Sequence, residues 1–224
     1  MNKHCKISAS MMCANPFYMR ETFDALMEEN VEYLHLDIMD GKFVPNLGLG
    51  LDYIRELRKK TCIPFDFHCM VTNPDELIRI LDVRPDDIIS IHYESTAQIM
   101  RTIENAHKLG CNVLIAINPG TPLSMLEEII HFVDGINLLM VNPGFAGQKM
   151  VPFALNKARK LQEYLESVNL SDKVIEVDGN ITFEYAQELR KLGASVFVAG
   201  TSSIFGTQGI KPGSIKTLRA SFGL

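Results

Sequence analysis

In HLDIMDGKFVPN, residues 35–46, side chains alternate in kind. An extended chain turns successive side chains to opposite faces, so His35, Asp37 and Met39 share one face while Leu34, Leu36 and Ile38 share the other. The aliphatic face suits packing under helices. The other face carries an imidazole, a carboxylate and a thioether, and the run then stops in the turn-forming Asp40, Gly41, Pro45 and Asn46. A strand that is apolar outward and polar inward at its C-terminal end suits a parallel barrel, where strand ends converge on one mouth.

Counting outward from this strand, VEYLHLDIM (31–39) is the second of eight β-rich runs. The others are KISAS (6–10), IPFDFHCM (63–70), DIISIHYE (87–94), NVLIAINP (112–119), GINLLMVNP (135–143), KVIEVDG (173–179) and SVFVAG (195–200). Amphipathic stretches lie between them, among them NPFYMRETFDALMEEN (15–30) and NPDELIRILDV (73–83). In the latter, Asn73 is placed to cap a helix whose first turn holds Pro74. TPLSMLEEIIHFV (121–133), PFALNKARKLQEYLESV (152–168) and ITFEYAQELRKLG (181–193) continue the pattern, and Gly193 marks a C-terminal stop. Strict βα alternation implies a parallel sheet covered by helices. Eight units in 224 residues predict a (β/α)8 TIM barrel, since an open doubly wound sheet would carry a Gly-rich turn after its first strand and none follows KISAS. No linker or low-complexity tract divides the chain, so residues 1–224 read as one domain.

A net charge of −5 argues against sequence-independent nucleic-acid binding, which needs a basic face. No segment approaches the ~20 apolar residues of a membrane span, and the N-terminal MNKHCKISASMMCANP has no signal-like apolar run, so the expected location is the cytoplasm. The 5 cysteines are scattered, without a CxxC pair, and read as small core residues in a reducing compartment.

Polar residues gather at the predicted strand ends: Ser8 and Ser10, His35 and Asp37, His68, His92 and Glu94, Asn118, Glu176 and Asp178. A lone histidine on a strand is usually structural. Ring closure changes that by bringing His35, Asp37, His68 and Asp178 to one axis, where two imidazoles and two carboxylates form a four-ligand site. Mixed nitrogen and oxygen donors suit Zn²⁺, Mn²⁺, Fe²⁺ or Co²⁺ rather than Ca²⁺ or Mg²⁺. His4, His107 and His131 lie at a terminus or in helical segments and read as solvated, while His92 and Glu94 read as outer neighbours of the site.

A second cluster, NPGFAGQ (142–148), DGN (178–180) and AGTSS (199–203), follows the last three strands. Glycines there let backbone N–H groups approach an anion, and barrels commonly bind phosphate after their last two strands. Metal on one side and phosphate on the other imply a phosphorylated substrate across the mouth. Acids on opposite strands supply the two proton-transfer groups that inversion at a carbon requires, one for each face.

HLDIMDGKFVPN, HCMV, INPGTP, VNPGFAGQ, EVDGN and GTSSIF resemble, in order, the motifs of the ribulose-phosphate 3-epimerase family, and the likeness runs from residue 8 to 205. The resemblance implies a (β/α)8 fold, one divalent metal on His35, Asp37, His68 and Asp178, and Asp37 and Asp178 as the acid/base pair. It also implies substrate contacts from Ser10, His68, Met39 and Met70, and phosphate held by Gly144, Phe145, Ala146, Gly147, Gly179, Asn180, Gly200 and Thr201. The expected partner is a phosphorylated ketose, and the expected assembly a homo-oligomer, dimer or hexamer.

Several positions depart from the family pattern. Leu139 stands where the family has a third capping methionine, Met140 where it has a small hydroxyl residue, Asn180 where DGG is common, and Ala146 where GFGGQ is common. GFAGQ, the GTS turn, a non-Gly residue after DG and the Met12-Cys13 pair resemble the D-allulose-6-phosphate 3-epimerase branch, whereas NPGTP is closer to the ribulose enzyme. The sequence leans to the hexulose phosphate, with D-ribulose 5-phosphate as the alternative.

Rival chemistries fit less well. A Schiff-base lyase needs a lysine near the C-terminal end of a strand, but Lys6 and Lys173 lie at strand starts. An Asp-x-Lys-x-x-Asp decarboxylase would need Lys where Met39 stands. A barrel that only binds a sugar phosphate would bury two carboxylates and two imidazoles with nothing to compensate them.

Overall fold

The computed structural model describes residues 4–223; residues 1–3 and Leu224, which the one-domain reading includes, lie outside them. Eight parallel strands close into a barrel in sequence order: β1 (Lys6–Ser10), β2 (Tyr33–Met39), β3 (Phe65–Met70), β4 (Ile88–His92), β5 (Asn112–Ile117), β6 (Gly135–Leu139), β7 (Val174–Asp178) and β8 (Val196–Ala199). The ring is sealed where β1 pairs with β8, Ser8 lying opposite Val198. Seven α-helices follow the strands: α1 (Met19–Glu28), α2 (Leu51–Arg58), α3 (Pro74–Ile78), α4 (Ile99–His107), α5 (Ala154–Ser167), α6 (Phe183–Lys191) and α7 (Ser214–Ser221). The chain is therefore a (β/α)8 barrel. Among the described residues no helix is long and apolar enough to cross a membrane.

The period-2 reading of β2 accounts for its packing. Leu34, Leu36 and Ile38 join the layer between barrel and helices, together with Leu26 of α1, Ile54 of α2 and Leu161 of α5. Inside the ring, Tyr33, Ile88, Leu114 and Val196 plug the N-terminal end. Above that plug the interior turns polar: Ser8, His35, Asp66, Ser90, Asn137 and Glu176 are each 0% exposed. Burial without solvent raises the cost of any unpaired polar atom; Ser8, His35 and Asp66 are joined by hydrogen bonds, whereas Ser90 Oγ, both Asn137 amide atoms and both Glu176 carboxyl oxygens have no hydrogen-bond partner.

Two expectations are corrected. TPLSMLEEIIHFV does not form an α-helix; Leu123–Leu126 and Ile130–Phe132 are separate 3₁₀ turns joined by i→i+3 bonds such as Met125 N–H to the Pro122 carbonyl at 3.2 Å. Leu126, Ile129, Ile130 and Val133 are nonetheless all buried. A 3₁₀ turn rises about 2.0 Å per residue against 1.5 Å for an α-helix, so this short crossover spans the barrel with fewer residues. Asn73 precedes α3 but makes no side-chain cap, and the helix is only 5 residues long. Its first-turn Asp75 instead accepts hydrogen bonds from Thr102 and Asn105 of α4, at 2.8 Å each, so α3 is anchored sideways. Gly193 behaves as read, following α6 with φ +84°.

Candidate active site

The strand registers assemble the polar cluster. Asp37 of β2 pairs laterally with His68 of β3, and Ser10 of β1 with His35. Asp178 arrives from β7 across the ring. One ligand atom from each of His35, Asp37, His68 and Asp178 lies within 4.8 Å of the others. Every residue expected at the site lines the cavity at the barrel mouth except His35, which is fully buried beneath it.

His35 is gripped from below. Its Nδ1 lies 2.6 Å from Asp66 Oδ2, which also accepts the Ser8 hydroxyl at 2.6 Å. A carboxylate partner places the ring hydrogen on Nδ1 and leaves a lone pair on Nε2. That Nε2 makes no hydrogen bond; it points at Asp37 Oδ1, 3.4 Å away, and Asp178 Oδ2, 3.7 Å away. A lone pair aimed at two carboxylates is repulsive unless positive charge sits between them. The same field acts on titration. Burial raises the Asp37 carboxyl, but the facing His35 and His68 outweigh it and hold the group well below the usual carboxylate range. Burial lowers both imidazoles, yet the surrounding carboxylates leave each raised. The point between the four donors thus demands a proton or a cation, and the donor set fits a divalent transition ion.

Ser10 donates its hydroxyl to Asp37 Oδ2 at 3.1 Å, fixing that carboxylate. Met39 and Met70 form a small apolar cluster with Val44, and Met12 and Phe43 pack against it at the mouth. Leu139 lines the same cavity, while Met140 turns away into the layer under the helices. On the opposite rim lie the loops after β6, β7 and β8. Gly179 sits at φ +106°, and a Cβ there would meet Val141 Cγ2 at 2.5 Å, so a side chain would be strained and force a shift. Asn180 adopts φ +54° and bridges its neighbours: Oδ1 accepts the Met150 N–H at 3.0 Å and Nδ2 donates to Ser202 Oγ at 2.9 Å. Its side chain therefore ties the loop after β6 to the loop after β8.

Asp66, Asn46 and Lys157 are contributors that the sequence does not single out, whereas Glu176, His92 and Glu94 stand at the strand ends as read. Asp66 stands two residues before His68 on the same face of β3, and that period-2 spacing was its signal. Asn46 donates its amide to the Gly144 carbonyl at 2.7 Å and so joins the loop after β2 to the glycine cluster, although it reads as an ordinary loop residue. Lys157 of α5, nearly buried, donates Nζ to the carbonyls of Asn118 at 2.7 Å, Pro119 at 3.1 Å and Thr121 at 2.6 Å. Burial brings its ammonium down to about 8. Glu176 is fully buried; desolvation, then the nearby Asp66 charge, pushes its carboxyl well above the usual range. His92 is buried against His68, and burial holds it at about 4. Glu94, by contrast, is brought to about 2: burial opposes ionisation, but His92, Thr121 and the Asn118 N–H stabilise the carboxylate more strongly.

Residues 6–205 match the model of the ribulose-phosphate 3 epimerase family. A ribulose-phosphate 3-epimerase of Aquifex aeolicus is 35% identical over 92% of this chain and 91% of its own, and one of Methanocaldococcus jannaschii is 36% identical over 96% and 89%. A 3-keto-L-gulonate-6-phosphate decarboxylase of Vibrio cholerae superposes with a TM-score of 0.70 over 99% of this chain and 98% of its own, a likeness of fold alone at 14% identity. With the family pattern spanning almost the whole barrel and relatives sharing about a third of their residues along it, this protein belongs to the ribulose-phosphate 3-epimerase family, a family of isomerases.

Proposed function

We propose that this enzyme inverts carbon 3 of a phosphorylated ketose, interconverting D-ribulose 5-phosphate and D-xylulose 5-phosphate. The observation that carries this reading is the pair of carboxylates, Asp37 and Asp178, delivered by β2 and β7 to one cavity whose opposite rim is built from glycine-rich loops. Asp37 takes the carbon-3 proton from one face of the sugar and Asp178 returns one to the other; in the reverse direction they exchange roles. Each such transfer contributes ~10²- to 10⁴-fold. His35, Asp37, His68 and Asp178 would hold a divalent cation, which when bound would supply positive charge against the negative charge that develops on the substrate oxygens. Ser10 orients Asp37, and Met39, Met70 and Leu139 present an apolar wall to the reacting carbons. Backbone N–H groups at Gly144–Gly147, Gly179 and Gly200–Thr201 hold the phosphate.

The named relatives favour the pentulose, the reverse of the lean drawn from Ala146, Asn180 and the GTS turn. One observation favours the hexulose as a second reading: Asn180, bridging Met150 and Ser202, puts a side chain at the proposed phosphate end of the cavity. Deuterium incorporation at carbon 3, followed by NMR in D₂O with Mn²⁺, Co²⁺ or Zn²⁺, separates the two. Faster exchange into D-ribulose 5-phosphate than into D-allulose 6-phosphate is expected. The opposite order moves the substrate and keeps the chemistry, whereas no exchange into either overturns the epimerase reading.

A further inference from the structure

His92 ends β4 and is 0% exposed, yet the acid/base reading gives it no task. Its ring stacks on that of His68, centroids 5.0 Å apart and planes inclined by 22°, with the two Nε2 atoms 2.8 Å from one another. Two imidazole nitrogens at that distance share one hydrogen, and the far side of His92 determines which holds it. There, Nδ1 lies 3.3 Å from Glu94 Oε2, and an ionised carboxylate only accepts. His92 therefore carries its hydrogen on Nδ1 and accepts at Nε2. His68 in turn must donate Nε2–H, which leaves a lone pair on its Nδ1. That nitrogen faces Asp37 Oδ1 and Asp178 Oδ2, each 3.3 Å away.

Glu94 is itself held in place. Its Oε1 accepts the Asn118 N–H at 3.0 Å and the Thr121 hydroxyl, and Lys157 secures the carbonyls of both those residues. Phe43 covers the His92 ring, centroids 4.7 Å apart. A continuous set of contacts thus runs from α5 to the lone pair of His68, matching what Ser8 and Asp66 do for His35 on the other side.

We infer that His92, oriented by Glu94, is a positioning residue that fixes Nδ1 of His68 as the nitrogen offered to the cation, and that this pair helps set metal affinity. The inference rests on His35, Asp37, His68 and Asp178 being the ligand set. Outer partners of ligating histidines typically account for about 10- to 100-fold in affinity.

The test is calorimetric titration of metal-stripped protein with Co²⁺, comparing wild type with His92→Phe, which keeps the stacked ring and removes the acceptor, and His92→Gln, which restores an acceptor oxygen. Phe at position 92 is expected to weaken Co²⁺ by about 10- to 100-fold, and Gln to recover most of that loss. Imidazole ¹⁵N shifts of the metal-free protein, read at a pH high enough to leave His68 neutral, should report its Nε2–H tautomer in wild type and a tautomer mixture in His92→Phe. Equal Co²⁺ affinity in wild type and the Phe variant overturns this inference alone. A wild type that takes no Co²⁺ overturns the ligand set and the inference together. Should the Phe variant not fold, Glu94→Gln at the barrel rim serves instead, and unchanged affinity and tautomer there would equally overturn it.

Discussion

Gly179→Ala probes the phosphate rim at its tightest point. The added Cβ would sit 2.5 Å from Val141 Cγ2 and 3.0 Å from Cγ1, at a φ of +106° that an L side chain rarely adopts. The backbone contributes ~1–3 kcal/mol of strain and overpacking a similar ~1–3 kcal/mol. Together that is about 4 kcal/mol, or a fall of roughly 8–16 °C in Tm for a chain of this length. If the loop shifts to relieve the clash, less stability is lost, but the N–H groups leave the positions proposed to hold the phosphate. Calorimetry with and without inorganic phosphate reads both effects: phosphate should raise the wild-type Tm and leave the variant's unchanged. Val141→Ala in the same background removes the two shortest contacts, leaves Val141 Cβ at 3.1 Å and keeps the backbone strain, so the double variant should recover ~1–2 kcal/mol relative to additivity. Strict additivity, or a variant that melts with the wild type and still responds to phosphate, refutes the packing described here.

Asp37→Asn and Asp178→Asn should each lower kcat by at least ~10³-fold with unchanged circular dichroism; wild-type-like turnover in either breaks the two-base assignment. Asn180→Gly deletes the bonds to Met150 and Ser202, and losing ~1–2 kcal/mol of loop organisation should raise KM by ~5- to 30-fold with kcat held. An unchanged KM would show that the bridge does not shape the phosphate end. Glu94, at about 2, lies below the ordinary carboxylate value of 4.5. Its contribution is complete above pH 4.5 and is lost as pH falls toward 2; after solvent screening it is on the order of 1 kcal/mol. The Tm gap between wild type and Glu94→Gln should therefore narrow from pH 6 to pH 3, and a gap that widens contradicts the assignment.

Much of this was legible because barrel strands alternate strictly. Alternation alone places His35, Asp37 and Met39 inward, since Leu34, Leu36 and Ile38 must face the helices. The pattern of the 121–133 segment does not decide its form, because burial of Leu126, Ile129, Ile130 and Val133 satisfies an α-helix and a pair of 3₁₀ turns alike. Lys157 lies on the buried stripe of α5 with Ala154, Ala158 and Leu161, so its position was readable. Its destination was not, because the carbonyls it meets belong to a loop almost 40 residues earlier in sequence. Pairings of that range arise only from closure of the ring.

Closure also divides the candidate ligands unequally along the polypeptide. His35, Asp37 and His68 come from the second and third strands, whereas Asp178 comes from the seventh. During synthesis the first three are available for more than 100 residues before the fourth exists. A half-barrel fragment ending after β4 would hold an incomplete claw, and full-strength cation uptake would begin only when a complementary fragment docks. The four-donor cluster thus doubles as an internal gauge of assembly, by which split or circularly permuted forms of the chain could be scored for whether the ring has shut.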